Sequence, residues 1–118
     1  MTELIVFDRS DALRRLLKSE KLLREVIGIF LRDLPRLRSQ IRSAVETQSA
    51  SALCLAAHSL RGSASQIGGR AVSERSWQIE QLAGEGDLAS ALELIAPLSI
   101  DLDHLATTLE ADLLKNSE

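Results

Sequence analysis

The chain has 118 residues, 45% of them hydrophobic, with no Tyr, one Trp, two Phe and two Pro. One domain is the natural expectation at that length, burying roughly two-thirds of its unfolded surface, and a composition rich in Leu and Ala predicts an all-α protein. The 14 Lys and Arg against 17 Asp and Glu leave a formal net charge of -3, which argues against nonspecific attachment to nucleic acid or to an anionic membrane.

Residues 4–7 are the only β-leaning run. The first helix is predicted over about 10–18, with Ser10 as N-cap and Leu13, Leu16 and Leu17 turned inward. Ser19 caps a long second helix in which Leu23, Ile27, Phe30, Leu34, Leu37, Ile41 and Ala44 alternate four- and three-residue steps, the spacing of a bundle seam. Pro35 removes one rung of the hydrogen-bond ladder, but the apolar spacing continues in phase beyond it, so a bend is expected rather than an end. Arg36, Arg38 and Arg42 on this helix read as a solvated face.

A polar link over 46–51 leads into a third helix over 51–67, closed by Gly68 and Gly69 as a left-handed cap. A shorter helix over 71–83 presents Val72, Ser76, Ile79 and Leu82 or Ala83. Residues 84–87 form a turn with Asp87 as the next N-cap. The last helix carries Leu88, Leu92, Ile95, Leu98, Leu102, Leu105, Leu109 and Leu113 on one side, kinked or divided by Pro97, and the tail 115–118 is expected to fray. Four long amphipathic segments with short links predict an up-down four-helix bundle with an additional short N-terminal helix across one end. A single domain over 1–118, with its core at about 8–113, follows.

Cys54, the single cysteine, cannot close an internal disulfide, which fits a reducing compartment. With no third group to orient a Cys–His pair, it reads as a small, partly covered helix residue. No segment reaches the roughly eighteen apolar residues of a membrane span. The opening Met-Thr-Glu-Leu has no basic region leading into a hydrophobic stretch, so no signal peptide and a cytoplasmic location are expected.

On the third helix Leu53, Ala56, Ala57, Leu60, Ala64 and Ile67 fall on one stripe at about 100° per residue. His58 lies roughly opposite its centre, and Arg61, Gly62 and Ser65 return to the histidine's face. Burial therefore does not account for His58. Gly62 sits mid-helix, where it costs about 1 kcal/mol relative to Ala; the missing side chain lets another protein's backbone, or a phosphoryl group, come close. Arg61 adds a permanent charge and a forked donor suited to phosphate oxygens. His104 also lies off its Leu stripe, but Thr107 and Thr108 stand three and four residues on, so it has neither cation nor gap and reads as a surface residue. With no H-E-x-x-H and no Cys pair, no metal site is expected. Residues 62–69 lack the Gly-Lys-Ser/Thr of a phosphate loop, and no G-x-S-x-G elbow occurs. What remains is an exposed imidazole, a side chain substantially unprotonated near neutral pH, able to attack phosphorus as a nucleophile.

At these residues the sequence resembles the histidine-containing phosphotransfer (HPt) domains of multistep two-component phosphorelays. Their core pattern, approximately A-H-x-L-K-G-S-[AS]-x-x-[ILV]-G, is matched by Ala57-His58-Ser59-Leu60-Arg61-Gly62-Ser63-Ala64-Ser65-Gln66-Ile67-Gly68. Upstream, Phe30-Leu31-Arg32-Asp33-Leu34-Pro35 is similar to the family's F-L-x-D-x-P stretch. Downstream, Ile79-Glu80 and Gly86-Asp87 are similar to its L-E…G-D ending of the short helix. The resemblance covers about residues 8–113.

It implies that His58 is the phosphoacceptor, taking a phosphoryl group from the phospho-aspartate of one receiver domain and passing it to the aspartate of another. Arg61 matches a position usually held by Lys, where charge helps neutralise the phosphoryl oxygens. Gly62 matches the glycine that gives the receiver room. Glu80 matches a position where Gln or Glu can hydrogen-bond the imidazole. Gln66 stands where Asn is common. The resemblance also implies a phosphoryl carrier without kinase activity or a cofactor of its own, Mg2+ coming with the receiver. The partners it implies are receiver domains of response regulators or of a hybrid sensor kinase, and a monomer is expected because the His-bearing face must stay accessible. Two other readings compete. A sensor-kinase phosphoacceptor domain would place an acidic residue after the histidine and a proline soon after, whereas Ser59 follows here and the next proline is Pro97. A non-phosphorylated adaptor of the same fold would not need His58, Arg61 and Gly62 intact.

Overall fold

All seven residues that the spacing places on one stripe of the second helix, from Leu23 to Ala44, are buried. They line a helix that runs unbroken through Pro35: α2, Glu20–Glu46, in a computed structural model that describes residues 5–115. With it stand α1 (Arg9–Arg15), α3 (Ala50–Gln66), α4 (Arg70–Gly84), α5 (Leu88–Leu92) and α6 (Ile95–Lys115), and no strand occurs among the described residues. The inward stripes of α2, α3, α4 and α6 meet in one apolar core, joined by Ala12 and Ala91 from the two short helices. No described helix is long and apolar enough to cross a membrane. The expectations for residues 1–4 and for the tail at 116–118 lie outside the described residues.

The most extensive packing is between α3 and α4. The buried face of α3 alternates large and small residues, Leu53 and Leu60 with Ala56, Ala57 and Ala64, and α4 answers with Val72, Ser76, Ile79 and Ala83. Small side chains let two helix axes approach closely, as ridges settle into grooves. Each fully buried Leu or Ile in this layer adds roughly 1.5–3 kcal/mol over an exposed one.

Four helices end in the same hydrogen-bond pattern, in which the amide two residues past the cap returns to a carbonyl of the last turn. Lys18 N donates to Leu13 O, Ser49 N to Ala44 O, Gly69 N to Ala64 O and Asp87 N to Leu82 O. The pattern requires a left-handed residue just before that amide. Leu17, Gln48, Gly68 and Gly86 supply it, with φ of 57°, 51°, 73° and 81°. At Gly68 the need is double, because a Cβ there would stand 2.4 Å from the backbone oxygen of Asp8.

That close approach explains where the first helix differs from expectation. Asp8, not Ser10, is the N-cap: its carboxylate accepts from Asp11 N at 3.1 Å, while its own amide donates to Gly68 O at 2.7 Å. The tertiary bond to the α3–α4 corner sets the helix start ahead of Ser10. The helix also stops at Arg15, so Leu17 becomes the left-handed residue after the cap and is 88% exposed instead of inward. Arg9 then ties α1 to both neighbours, donating to Asp112 at 2.7 Å and forking onto Glu20.

The last predicted helix is divided, but ahead of Pro97. The break lies at Glu93 and Leu94, because the Pro97 ring would collide with the carbonyl four residues back, that of Glu93. Pro97 thus sits in the first turn of α6, where amide hydrogens have no intrahelical partner. Of the expected arginine face, Arg36 and Arg42 are exposed, whereas Arg38 is half-buried and pairs with Asp103 at 2.6 Å.

Gln48→Gly should therefore stabilise the protein by about 0.5–1 kcal/mol, relief of the left-handed conformation outweighing the added freedom of the unfolded chain. Gly68→Ala should destabilise it by about 2 kcal/mol or more. Urea unfolding of the two variants beside the parent checks both signs.

Candidate functional site

His58 stands on the water side of α3, opposite Leu53, Ala57 and Leu60, with its side chain 61% exposed. The stripe arithmetic thus places it correctly. What periodicity could not show is its partner from the next helix. Glu80 Oε2 lies 2.8 Å from His58 Nδ1, and its other oxygen, Oε1, accepts from Arg61 Nε at 2.7 Å. Arg61 Nη2 comes within 3.1 Å of the same Nδ1. One carboxylate therefore bridges the imidazole and the guanidinium.

The bridge fits into a regular register between α3 and α4. Ser65 hydrogen-bonds Ser73 at 2.7 Å, Arg61 and Trp77 line one crevice, His58 meets Glu80, and Cys54 Sγ lies 3.5 Å from where a Gly84 Cβ would be. As the α3 number falls the α4 number rises, the signature of antiparallel neighbours. Residues 65, 61, 58 and 54 share one flank of α3 because they are three or four apart, and the small inward residues bring α4 near enough for a glutamate to span the gap.

Glu80 is only 15% exposed, which by itself disfavours a charged carboxylate. The hydrogen bond from Arg61 outweighs that burial and, with a further contribution from His58, holds the Glu80 carboxyl below the usual carboxylate range. Glu80 is thus ionised at neutral pH and can only accept. The proton of the neutral ring accordingly sits on Nδ1, and the lone pair falls on Nε2, which no described residue engages by a hydrogen bond. Arg61 Nη2, unable to donate to a protonated Nδ1, contributes charge at that position rather than a hydrogen bond.

The other expected residues are distributed around this triad. A Cβ on Gly62 would meet nothing within 4 Å, so folding does not require glycine there. The Ser65 hydroxyl is taken up by Ser73, and Ser65 is seven residues, about two turns, from His58. Cys54 is partly covered and packs against the core. His104 is exposed, and Thr108 donates to its carbonyl at 2.8 Å.

Two apolar side chains went unremarked in the sequence. Leu55, one turn before His58, is exposed, and so is Trp77, one turn before Glu80. For Trp77 a signal existed, since the only tryptophan of the chain stands off the inward stripe of Val72, Ser76, Ile79 and Ala83. Beside Leu55 an open groove of about 500 Å³ separates α2 from α3, lined among others by Arg36, Gln40, Ala56 and Ser59.

The family model of the Hpt domain matches residues 25–112, spanning α2 to α6. The chain belongs to the Hpt domain family. No curated protein and no solved structure matches it significantly. Hpt domains are histidine phosphocarriers of two-component phosphorelays, not kinases, and interact with receiver domains. In this Hpt domain the matched segment contains the whole triad of His58, Arg61 and Glu80.

The depressed Glu80 value gives a pH dependence with a defined sign. Its stabilisation is fully present above the ordinary glutamate range and is lost as the pH falls through the lower folded value. The parent should exceed Glu80→Gln in unfolding free energy by about 1 kcal/mol at neutral pH. That difference should shrink as the pH is lowered from about 5. Denaturant unfolding of both proteins across that range measures it.

Proposed function

We propose that this chain is a histidine phosphotransfer domain in which His58 accepts a phosphoryl group from the phospho-aspartate of one receiver domain and passes it to the aspartate of another. The observation that carries this reading is the exposed His58 ring with Nδ1 held by an ionised Glu80. In the accepting step the Nε2 lone pair attacks phosphorus, the N–P bond forms, and the P–O bond to the receiver's aspartate breaks to release a carboxylate. The ring gains positive charge in that step, and Nδ1–H remains against Glu80, which stabilises the charge without a proton having to leave. The donating step is the reverse, with the aspartate of the second receiver as nucleophile.

Gly62 is assigned to clearance, because the open space above it lets a receiver's backbone reach the ring. Ser65, Leu55 and Trp77 are assigned to the surface a docked receiver would cover. Mg2+ and most of the catalysis are assigned to the receiver, and the carrier needs no cofactor of its own. The architecture supports the same reading. The start of α2, the end of α3, the start of α4 and the end of α6 gather around α1 through Glu20, Gly68, Arg70 and Asp112. That gathering is what an up-down four-helix bundle with a short N-terminal helix requires, and one core supports a single unit. A monomeric, cytoplasmic carrier completes the proposal.

Incubation with a phosphorylated receiver should give acid-labile, base-stable label on the parent and none on His58→Gln. Absence of label with every receiver tried would favour a non-phosphorylated adaptor. Gly62→Gln should fold at least as stably as the parent yet accept phosphoryl about tenfold more slowly, the equivalent of about 1.4 kcal/mol lost in docking. His104→Ala should label like the parent; a large loss there would place the chemistry on the wrong histidine.

A further inference from the structure

The sequence assigns Arg61 to the phosphoryl oxygens, but its guanidinium is engaged elsewhere. Nε donates to Glu80 Oε1 at 2.7 Å, Nη2 lies 3.1 Å from His58 Nδ1, and the side chain is 33% exposed. A phosphoryl group on Nε2 projects away from Nδ1, on the far side of the Cε1 carbon between them. Forking onto that group would take Nη2 from its place beside Nδ1. We infer that Arg61 is a positioning residue, anchoring the Glu80 carboxylate that orients His58 and offsetting that carboxylate's charge at the ring. This inference rests on His58 being the phosphoacceptor.

The reason is electrostatic. A carboxylate alone against Nδ1 favours the doubly protonated imidazolium, which has no lone pair on Nε2 with which to attack phosphorus. Paired with a guanidinium, the same carboxylate keeps its orienting hydrogen bond while most of its charge is cancelled. The ring stays oriented and stays a nucleophile. The charged groups around it are Arg61 on α3 and Glu80 on α4, with Glu74 on α4 bordering the crevice shared by Arg61 and Trp77. On the α2 side Arg36 lines the groove beside Ser59, but it is forked onto Asp33 at 2.7 and 2.9 Å. Lysine could cancel the charge at this position but could not hold Glu80 through a donor fixed in a rigid plane.

The test uses the full chain, with phosphoramidate as donor. Nε2–P forms as the P–N bond of the reagent breaks and ammonia leaves. NMR follows the His58 ring titration in the unphosphorylated parent, Arg61→Gln and Arg61→Lys. Initial labelling rate and the lifetime of the phosphohistidine are then measured as functions of pH. In Arg61→Gln the ring titration should move up by about one pH unit. Labelling should slow several-fold near neutral pH and recover as the pH rises, and the phosphohistidine, once formed, should last as long as in the parent. Arg61→Lys should shift the titration less. A rate loss equal at every pH, with a shortened phosphohistidine lifetime, would overturn the assignment and make Arg61 a phosphoryl ligand. If the parent takes no label from phosphoramidate or from any phosphorylated receiver, the phosphoacceptor reading fails. The ring titration, which needs no phosphoryl group, then decides the positioning role separately: an unmoved midpoint in Arg61→Gln rejects it.

Discussion

A single carboxylate determines what His58 can do. Glu80 reaches from α4 to α3 and accepts from both the imidazole and the guanidinium beside it. An exposed histidine without such a partner exchanges tautomers and turns freely, presenting either nitrogen to an incoming group. With the carboxylate fixed, the proton has one place to be and the lone pair another. This is the arrangement by which a buried carboxylate orients a catalytic or metal-bound imidazole, here on a ring left open to solvent.

The bridge depends in turn on how closely α4 lies along α3. Alanines on the inward stripe of α3 allow that approach, and the paired positions from Ser65–Ser73 to Cys54–Gly84 maintain one register along it. The corner that joins the two helices is fixed by Gly68, whose left-handed backbone and contact with Asp8 leave no room for a side chain. Arg9 extends the same constraint to the ends of α2 and α6. The short first helix, remote from the histidine in sequence, thus serves as a clamp on the end of the frame that holds it. Around the ring the surface has a low point at Gly62 and apolar rims at Leu55 and Trp77. A carrier that must admit a partner and then let it go is well served by such a face, since apolar anchors give contact without a deep cavity.

Much of this was legible in the sequence, for physical reasons that also mark where legibility stops. Helical periodicity reports which face of a helix is buried, so the stripes of α2, α3 and α4, and with them the outward placement of His58, follow from spacing alone. Periodicity is silent on which residues meet across two helices; only the resemblance of Ile79-Glu80 to a family pattern points to Glu80. Ser10 carries the local signal of a cap, but the true start is set by a hydrogen bond from Asp8 to Gly68, sixty residues away. Leu17 fits the inward spacing only if the helix continues, and it stops two residues earlier, at Arg15. The division of the last helix by Pro97 is legible, but its exact position is less so. Proline acts on the carbonyl four residues back, so the break falls at Glu93 and Leu94 rather than at the proline. Charge alone groups Arg38 with its arginine neighbours, but its position on α2 brings it against Asp103 of α6.

In the proposed mechanism Glu80 fixes the Nδ1–H form of His58 and leaves Nε2 as the atom that takes phosphorus. Phosphorus–nitrogen couplings in NMR spectra of the 15N-labelled, phosphorylated protein locate the phosphoryl group within the ring. Phosphorus bonded to Nε2, with Nδ1 still protonated, is the expected result. Phosphorus on Nδ1, or on any residue other than His58, would contradict it.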